Sequence, residues 1–146
     1  ENVIMNKKQK SLTNKGFSLV ELIIVIAIMA VLIGVLAPQY LKYVENSRVQ
    51  KDVSAADEFQ HAVEIAVADE AIYNSLGLSS TTTSVTVTAP DNAAYTGGSA
   101  DLLAELNSVV PGPIDFTSSS HNGQSYVVTI SYTAATGAVT VSGAFN

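Results

Sequence analysis

The sequence predicts an α+β fold in which one long N-terminal helix packs against a small antiparallel sheet. Three features indicate this fold: an apolar run near the N-terminus, a following stretch with apolar residues at helical spacing, and a C-terminal third in which apolar and polar residues alternate. We expect four regions, residues 1–16, 17–37, 38–77 and 78–146. The chain has no cysteine, so packing alone is expected to hold the folded part together.

Residues 1–16 are polar and basic, and they are predicted to be a leader peptide that takes no part in the fold. Lysines occupy positions 7, 8, 10 and 15, and Met5 has the character of a translation start. Positive charge beside a membrane segment is usually retained in the cytoplasm. The leader is therefore expected on the cytoplasmic side, with the rest of the chain outside.

Phe17 to Ala37 form an apolar run in which Glu21 is the single charged side chain. A helix rises 1.5 Å per residue, so this run would span about 30 Å, close to the hydrocarbon thickness of a bilayer. Pro38 has no N–H to donate to the carbonyl of Gly34. We therefore expect a kink or local melting of the helix between these two residues.

The helical pattern resumes after Pro38 and is predicted to continue to Gly77, a residue type that commonly stops helices. Apolar side chains recur there at helical spacing and leave a polar opposite side. This pattern predicts that residues 38–77 form an amphipathic continuation of the helix that covers the sheet. The stripe contains Val49, Val53, Ala56, Phe59, Val63, Ala66 and Val67.

The remainder, residues 78–146, is predicted to contain strands and one short helix. Ser84 to Thr88 reads as a strand, and Ser99 is expected to cap a helix that runs to Asn107. Asn122-Gly123 is the pair that a tight type I′ hairpin prefers. Residues 126–133 alternate as a strand does, and Thr136-Gly137 is expected to turn into the next strand.

The charges exclude several classes of function. Every charged side chain from Asp52 onward is a carboxylate, and such a surface repels nucleic acid. No catalytic motif is present, so we predict no enzyme, no catalytic residue and no cofactor. Asp57, His61 and Glu64 share a helix face on which a metal ion is conceivable, but a solvated face is the commoner meaning, and no metal site is predicted.

The residues from Lys15 to Glu21, followed by a nearly uncharged apolar stretch, resemble the processing site of type IV pilins and their relatives. The resemblance implies that a prepilin peptidase cuts between Gly16 and Phe17 and that Phe17 is then N-methylated. It implies a chain held in the cytoplasmic membrane and then built, by an assembly platform and its ATPase machinery, into a homopolymeric surface filament. Without the cysteine pair of many Gram-negative members, the chain is similar to a cysteine-free branch, as in Gram-positive bacteria.

The position of Glu21 also supports a physical hypothesis, because a carboxylate inside a membrane-spanning helix costs free energy unless it has a partner. Cleavage before Phe17 would create an α-amino group, and Glu21 of one subunit is expected to pair with that group on a neighbour and so set the register. Lys42, Arg48 and Lys51 are the side-chain cations beyond the leader. One hypothesis is that they form salt bridges between subunits. An equally good one is that they contact lipid head groups or keep the chain soluble.

Alternative readings remain open. Val35-Leu36-Ala37 resembles the end of a secretory signal peptide, although Pro38 directly afterwards argues against cleavage there. A single-pass anchor for a binding domain explains the apolar run but not the spacing of Gly16, Phe17 and Glu21. A minor pilin, or a pseudopilin of type II secretion, shares the same N-terminal architecture. Such pseudopilins carry a calcium site in their C-terminal loops, and four carboxylates of this chain could be interpreted in that way. Because no EF-hand-like spacing links them, solvated acidic residues are the favoured interpretation. These residues are Asp91, Asp101, Glu105 and Asp115.

Overall fold

The computed structural model describes residues 16–146, so most of the predicted leader lies outside the described residues. The described part divides into two compact units, which meet between Tyr40 and Leu41. The predicted α+β class is confirmed. In chain order the elements are α1 (Leu19–Val67), α2 (Glu70–Ser75), β1 (Ser84–Pro90), β2 (Thr96–Gly97), α3 (Ala100–Val109), β3 (Ser125–Thr133) and β4 (Ala138–Phe145).

The first unit is the apolar beginning of α1. Its helix is unbroken from Leu19 onward, with Pro38 inside it. Local melting around Gly34 is therefore not seen, since one missing N–H removes only one of the many hydrogen bonds of a long helix. The kink at Gly34 and Pro38 stays a prediction.

The second unit begins at Leu41, where α1 becomes amphipathic and packs its apolar stripe on the sheet. Phe59 and Val63 are fully buried, whereas Val49 and Val53 are only half-buried. The ring of Phe59 packs against that of Tyr95, which precedes β2, with 4.8 Å between the ring centroids and an angle of 48° between the ring planes. The stripe predicted from spacing therefore forms the helical wall of the core.

The predicted continuous helix to Gly77 is interrupted at Ala68 and Asp69. The amide groups of both residues bond to carbonyls only three residues back, which tightens and ends the last turn of α1. The Asp69 carboxylate then accepts hydrogen bonds from the amides of Ala71 and Ile72, and so caps the short helix α2. An N-capping aspartate therefore divides the predicted helix in two.

The sheet has four antiparallel strands in the order β2-β1-β3-β4. Strand β1 pairs with β3 along the whole length of β1, from Ser84 opposite Ser131 to Pro90 opposite Ser125. The turn between β3 and β4 forms as predicted, with Gly137 at a φ of 69°. Alternation puts the apolar side chains of β3, Tyr126, Val128 and Ile130, into the core beneath α1.

The type I′ hairpin expected at Asn122-Gly123 is wrong. Among the non-glycine residues described, only Asn92 has a positive φ, so Asn122 does not take the conformation that this turn requires. No strand precedes the pair, because residues 115–124 form a loop that leads directly into β3. The helix predicted after Ser99 is present, and the Ser99 hydroxyl accepts a hydrogen bond from the amide of Leu102.

Candidate functional site

The N-terminal end of α1 is built as a reciprocal cap. Ser18 precedes the first helical residue, and its hydroxyl accepts a hydrogen bond of 3.3 Å from the amide of Val20. The Glu21 carboxylate reaches back to the amide of Ser18 at 2.8 Å. Ser-x-x-Glu before an apolar run is the capping-box pattern, which the sequence contained and our interpretation of Glu21 did not use. Glu21 thus already has an acceptor role within its own chain.

The apolar surface beyond this cap is exposed along its length. Phe17 is 94% exposed and each large apolar side chain from Leu19 to Leu36 is at least half exposed. One helix in the described part, α1, is long and apolar enough to cross a membrane, and none of its most apolar window is buried. A surface of this kind is stable only in lipid or against other apolar surface.

The cations Lys42, Arg48 and Lys51 are exposed on α1 just beyond this apolar part. Within residues 16–146, no lysine or arginine nitrogen lies within 4.0 Å of a carboxylate oxygen. Arg48 nonetheless acts at longer range on Glu45, whose pKa lies below its usual value because the Ser119 hydroxyl and amide donate to it, with Arg48 adding a smaller attraction.

Asp52 is a buried carboxylate that the sequence analysis did not single out, and its side chain is 0% exposed. It accepts hydrogen bonds from the amides of Thr117 at 3.0 Å and Ser118 at 2.8 Å. Burial raises the pKa of Asp52, but the hydrogen bonds from Ser118 and Thr117, with the nearby His121, outweigh burial and hold the pKa below its usual value. Asp52 therefore ties the loop before β3 to α1.

Two further carboxylates hold the same loop. Glu45 accepts hydrogen bonds from the amide and the hydroxyl of Ser119. Asp91, considered earlier as a calcium ligand, accepts from the amides of Phe116 at 2.9 Å and Gly123 at 2.7 Å. Two acidic side chains of α1 and one that follows β1 thus satisfy backbone donors of one loop, a structural use of carboxylates that spacing along the sequence does not reveal.

Asp52, Ser118 and His121 combine the three residue types of a hydrolase triad, but their geometry excludes that chemistry. The Ser118 hydroxyl lies 3.2 Å from Nδ1 of His121, and an Asp52 oxygen lies 3.7 Å from that same nitrogen. A triad needs the serine and the aspartate on opposite nitrogens of the ring, so that one proton can pass across it. The imidazole instead stacks on Phe145 at 3.9 Å between centroids, as a packing group.

The remaining metal-ligand candidates are dispersed. Of Asp57, His61 and Glu64, only His61 and Glu64 approach each other, at 3.6 Å between nitrogen and oxygen. Glu64 also accepts a hydrogen bond from the amide nitrogen of the Gln60 side chain. In the part of the chain that the structure describes, no three histidine or carboxylate residues gather closely enough to hold a metal ion.

Comparisons with known proteins point to the N-terminal region. The family described as "Prokaryotic N-terminal methylation motif" matches residues 12–37. The type IV major fimbrial protein FimA of Dichelobacter nodosus is 40% identical over 55 residues, which cover 38% of this chain and 35% of that protein. A fimbrial protein of Pseudomonas aeruginosa is 40% identical over 53 residues, covering 36% of this chain and 34% of its own length.

A longer match extends into the second unit. The prepilin peptidase-dependent protein A of Clostridium perfringens is 28% identical over 102 residues, which cover 68% of this chain and 69% of that relative. The chain thus spans only about a third of the fimbrial relatives' length but over two thirds of the clostridial protein. No solved structure matches.

The matched residues 12–37 include the capped, exposed beginning of α1. The chain therefore carries the prokaryotic N-terminal methylation motif at the start of a long apolar helix, and it is similar to type IV pilin-like proteins.

Proposed function

We propose that this protein is the structural subunit of a type IV pilus and polymerises through the apolar beginning of α1. A prepilin peptidase cuts its precursor between Gly16 and Phe17, and Phe17 is then N-methylated. The observation that carries the proposal is the exposed apolar surface from Leu19 to Leu36, interrupted only by Glu21. In the membrane this surface contacts lipid, and in the filament it contacts copies of itself.

Glu21 supplies the register in this proposal. After cleavage, the Phe17 ammonium of one subunit lies against the Glu21 carboxylate of its neighbour, and a shifted register leaves both charges unpaired in apolar surroundings at a cost of several kcal/mol. The bond from Glu21 to the Ser18 amide fits the precursor, in which no terminal ammonium exists at Phe17. Glu21 would keep the cap and gain a charged partner on assembly.

Before assembly, the proposal places the leader in the cytoplasm and residues 38–146 outside the cell membrane. The assembly platform and its ATPase machinery then draw the subunit from the membrane into an extracellular filament. The name of the clostridial relative, a protein dependent on prepilin peptidase, supports processing of this kind. Abundance separates a major subunit from a minor pilin or pseudopilin, since a major subunit dominates sheared surface filaments.

The first test is the mature N-terminus. Mass spectrometry of sheared surface material should find a chain that begins with methylated Phe17. Gly16→Arg should block processing, because it puts a large charged side chain next to the scissile bond, where the peptidase normally meets a glycine. The wild-type chain in a strain without the peptidase provides the matched unprocessed control. A mature chain that keeps residues 1–16, or an unchanged N-terminus in the Gly16→Arg variant, would contradict the proposed cleavage.

The second test separates the charge of Glu21 from its cap. Glu21→Ala and Glu21→Gln should both abolish or strongly impair filaments while the precursor is still processed, and glutamine retains an oxygen that caps Ser18. Ser18→Ala is the matched control, because it removes the cap hydroxyl and keeps the charge, so its filaments should form. Normal filaments from Glu21→Gln would show that capping, and not charge pairing, is the role of this residue.

A further inference from the structure

Asn122 and Gly123 form the single asparagine–glycine pair in the sequence. Asparagine is among the chemically labile residues of proteins. The backbone nitrogen of the next residue can attack its side-chain carbonyl carbon, and glycine, which has no Cβ, hinders that approach least. Both residues are exposed in the loop before β3, so water reaches them. The pair therefore has the composition and the exposure that spontaneous deamidation requires.

The reaction needs no partner other than water. The nitrogen of Gly123 forms a bond to Cγ of Asn122, and the bond from Cγ to the side-chain nitrogen breaks. The proton from the Gly123 N–H leaves with that nitrogen as ammonia. Water then opens the cyclic succinimide at either carbonyl, which produces an aspartyl or an isoaspartyl residue. One water is consumed, one ammonia is released, and nothing is oxidised or reduced.

Three other asparagines precede a serine, which is also a small residue. Each of them lies within a helix: Asn46 in α1, Asn74 in α2 and Asn107 in α3. A helix fixes the backbone, so the next nitrogen cannot turn toward the side-chain carbonyl. The fold thus protects these three by secondary structure, which Asn122 lacks.

The attacking nitrogen at this pair is held by Asp91. One carboxylate oxygen, Oδ2, accepts a hydrogen bond from the Gly123 N–H at 2.7 Å, and the other, Oδ1, accepts from the amide of Phe116 at 2.9 Å. Attack requires this nitrogen to lose its proton, and negative charge then develops on it. A carboxylate in contact holds the proton and disfavours a second negative charge beside it. The contact with Asp91 therefore opposes the first step.

The other reacting group is held as well. Nδ2 of Asn122 donates to the carbonyl of Phe116 at 3.4 Å. The amide of Gln124 donates to the carbonyl of His121 at 2.9 Å and closes a turn with Asn122 and Gly123 at its centre. The φ of 78° at Gly123 is that of the third residue of a type II turn. Ring closure has to rotate the backbone at Asn122 and open this turn.

We propose that Asn122 is a modification site at which the chain deamidates itself, and that Asp91 sets the rate. The reaction is slow while Asp91 holds the Gly123 N–H and proceeds when the loop opens. The product cannot restore the loop, because an oxygen replaces the nitrogen that donates to Phe116. The new negative charge also joins the three carboxylates that already hold this loop. A transient opening of the loop thus becomes a permanent change.

Peptide mass spectrometry tests the proposal on the full-length chain in detergent micelles at mildly alkaline pH. Chymotrypsin, which cuts after Phe116 and Tyr126, gives the peptide 117–126, in which Asn122 is the single asparagine. The fraction of this peptide with the side-chain amide converted to a carboxyl group is followed over time. Asp91→Ala should react at least about tenfold faster than wild type, which corresponds to about 1.4 kcal/mol in the barrier.

Glu45→Ala is the matched control, because Glu45 holds the same loop at Ser119 and does not contact Gly123. Its rate should stay within twofold of wild type. Equal rates in wild type and Asp91→Ala would overturn the proposal, and so would equal acceleration in both variants. A slower reaction in Asp91→Ala would show that the carboxylate acts as a base that promotes the attack.

A measurement in denaturing urea keeps the test valid if Asp91→Ala also loses its fold. Urea opens the loop of the wild-type chain without changing a side chain, so Asn122 should react at least tenfold faster there than in the folded chain. Wild type and Asp91→Ala should react at the same rate in urea, because Asp91 then holds nothing. A folded wild-type chain that reacts as fast as the unfolded one would contradict the protection.

Discussion

Asp52 is a charged residue with no exposed surface, on the face of α1 that packs against the sheet. Two backbone amides of the loop before β3 point at its oxygens, and those amides have no other acceptor if the carboxylate is lost. An acidic residue within an apolar stripe is ordinarily read as a stripe boundary. Here the Asp52 carboxylate instead holds α1 to a loop far along the chain through two hydrogen bonds.

We predict that Asp52→Asn destabilises the second unit by about 1–3 kcal/mol at pH 7, because it weakens two charge-assisted hydrogen bonds. Hydrogen exchange at the amides of Thr117 and Ser118, in the full chain in detergent micelles, measures the effect. Asp57→Asn, an exposed carboxylate on the same helix, is the control and should change stability by less than about 0.5 kcal/mol.

The same substitution has a pH signature. The folded-state pKa of Asp52 lies below the ordinary 3.8, so its stabilisation is complete above that value and disappears as the pH falls through the folded pKa. The stability gap between wild type and Asp52→Asn should therefore be constant from pH 7 to about pH 5 and close in strong acid. A gap that stays the same at pH 2 would contradict the proposed role.

At the scale of elements, α2 exists as a separate helix because of its cap. Asp69→Ala should cost about 1 kcal/mol and accelerate hydrogen exchange at Ala71 and Ile72, since their amides lose the carboxylate acceptor. Asp69→Ser keeps a capping oxygen and should behave like wild type. If alanine and serine gave equal exchange, the division between α1 and α2 would have another cause.

The elements also show what can be predicted from the sequence. Strand β3 and helix α3 followed from local features, an alternation of period two and a capping serine, which need no knowledge of the rest of the fold. Asn122-Gly123 failed because a turn type depends on what the flanking segments pair with, and β3 pairs with β1 and β4 instead. Local chemistry therefore predicted elements better than their partners.

The candidate site shows the same difference between local sequence features and contacts made by distant residues. Gly16, Phe17 and Glu21 could be proposed from the sequence because they lie within six residues, at the start of a long apolar run. The contacts of Glu45, Asp52 and Asp91 with the loop join residues between 25 and 74 positions apart. Such a set has no spacing to detect, so only the folded chain reveals it.

At the scale of the whole molecule, charge is distributed unevenly along α1. The cations occupy positions 42, 48 and 51, whereas positions 57, 58 and 64 carry carboxylates. In the proposed filament, the cations of one subunit would attract the carboxylates of a neighbouring subunit.

We therefore predict that Lys51→Glu makes filaments dissociate in salt that wild-type filaments withstand. Exposed ion pairs contribute about 1 kcal/mol or less each and are screened by salt. A filament repeats the same weak contact in every subunit, so the loss of one pair per subunit adds up along its length. Sedimentation of sheared filaments over a salt series measures the effect, with Lys51→Arg as the conservative control. Equal salt resistance of all three chains would show that Lys51 serves lipid contact or solubility.

The core of the second unit is drawn from residues 55–145, so no side chain of the apolar beginning of α1 belongs to it. The surroundings of the apolar beginning of α1 can therefore change from lipid to protein without disturbing the core of the second unit. Under the proposed function, a subunit would pass from the membrane into a filament with the fold of its second unit unchanged.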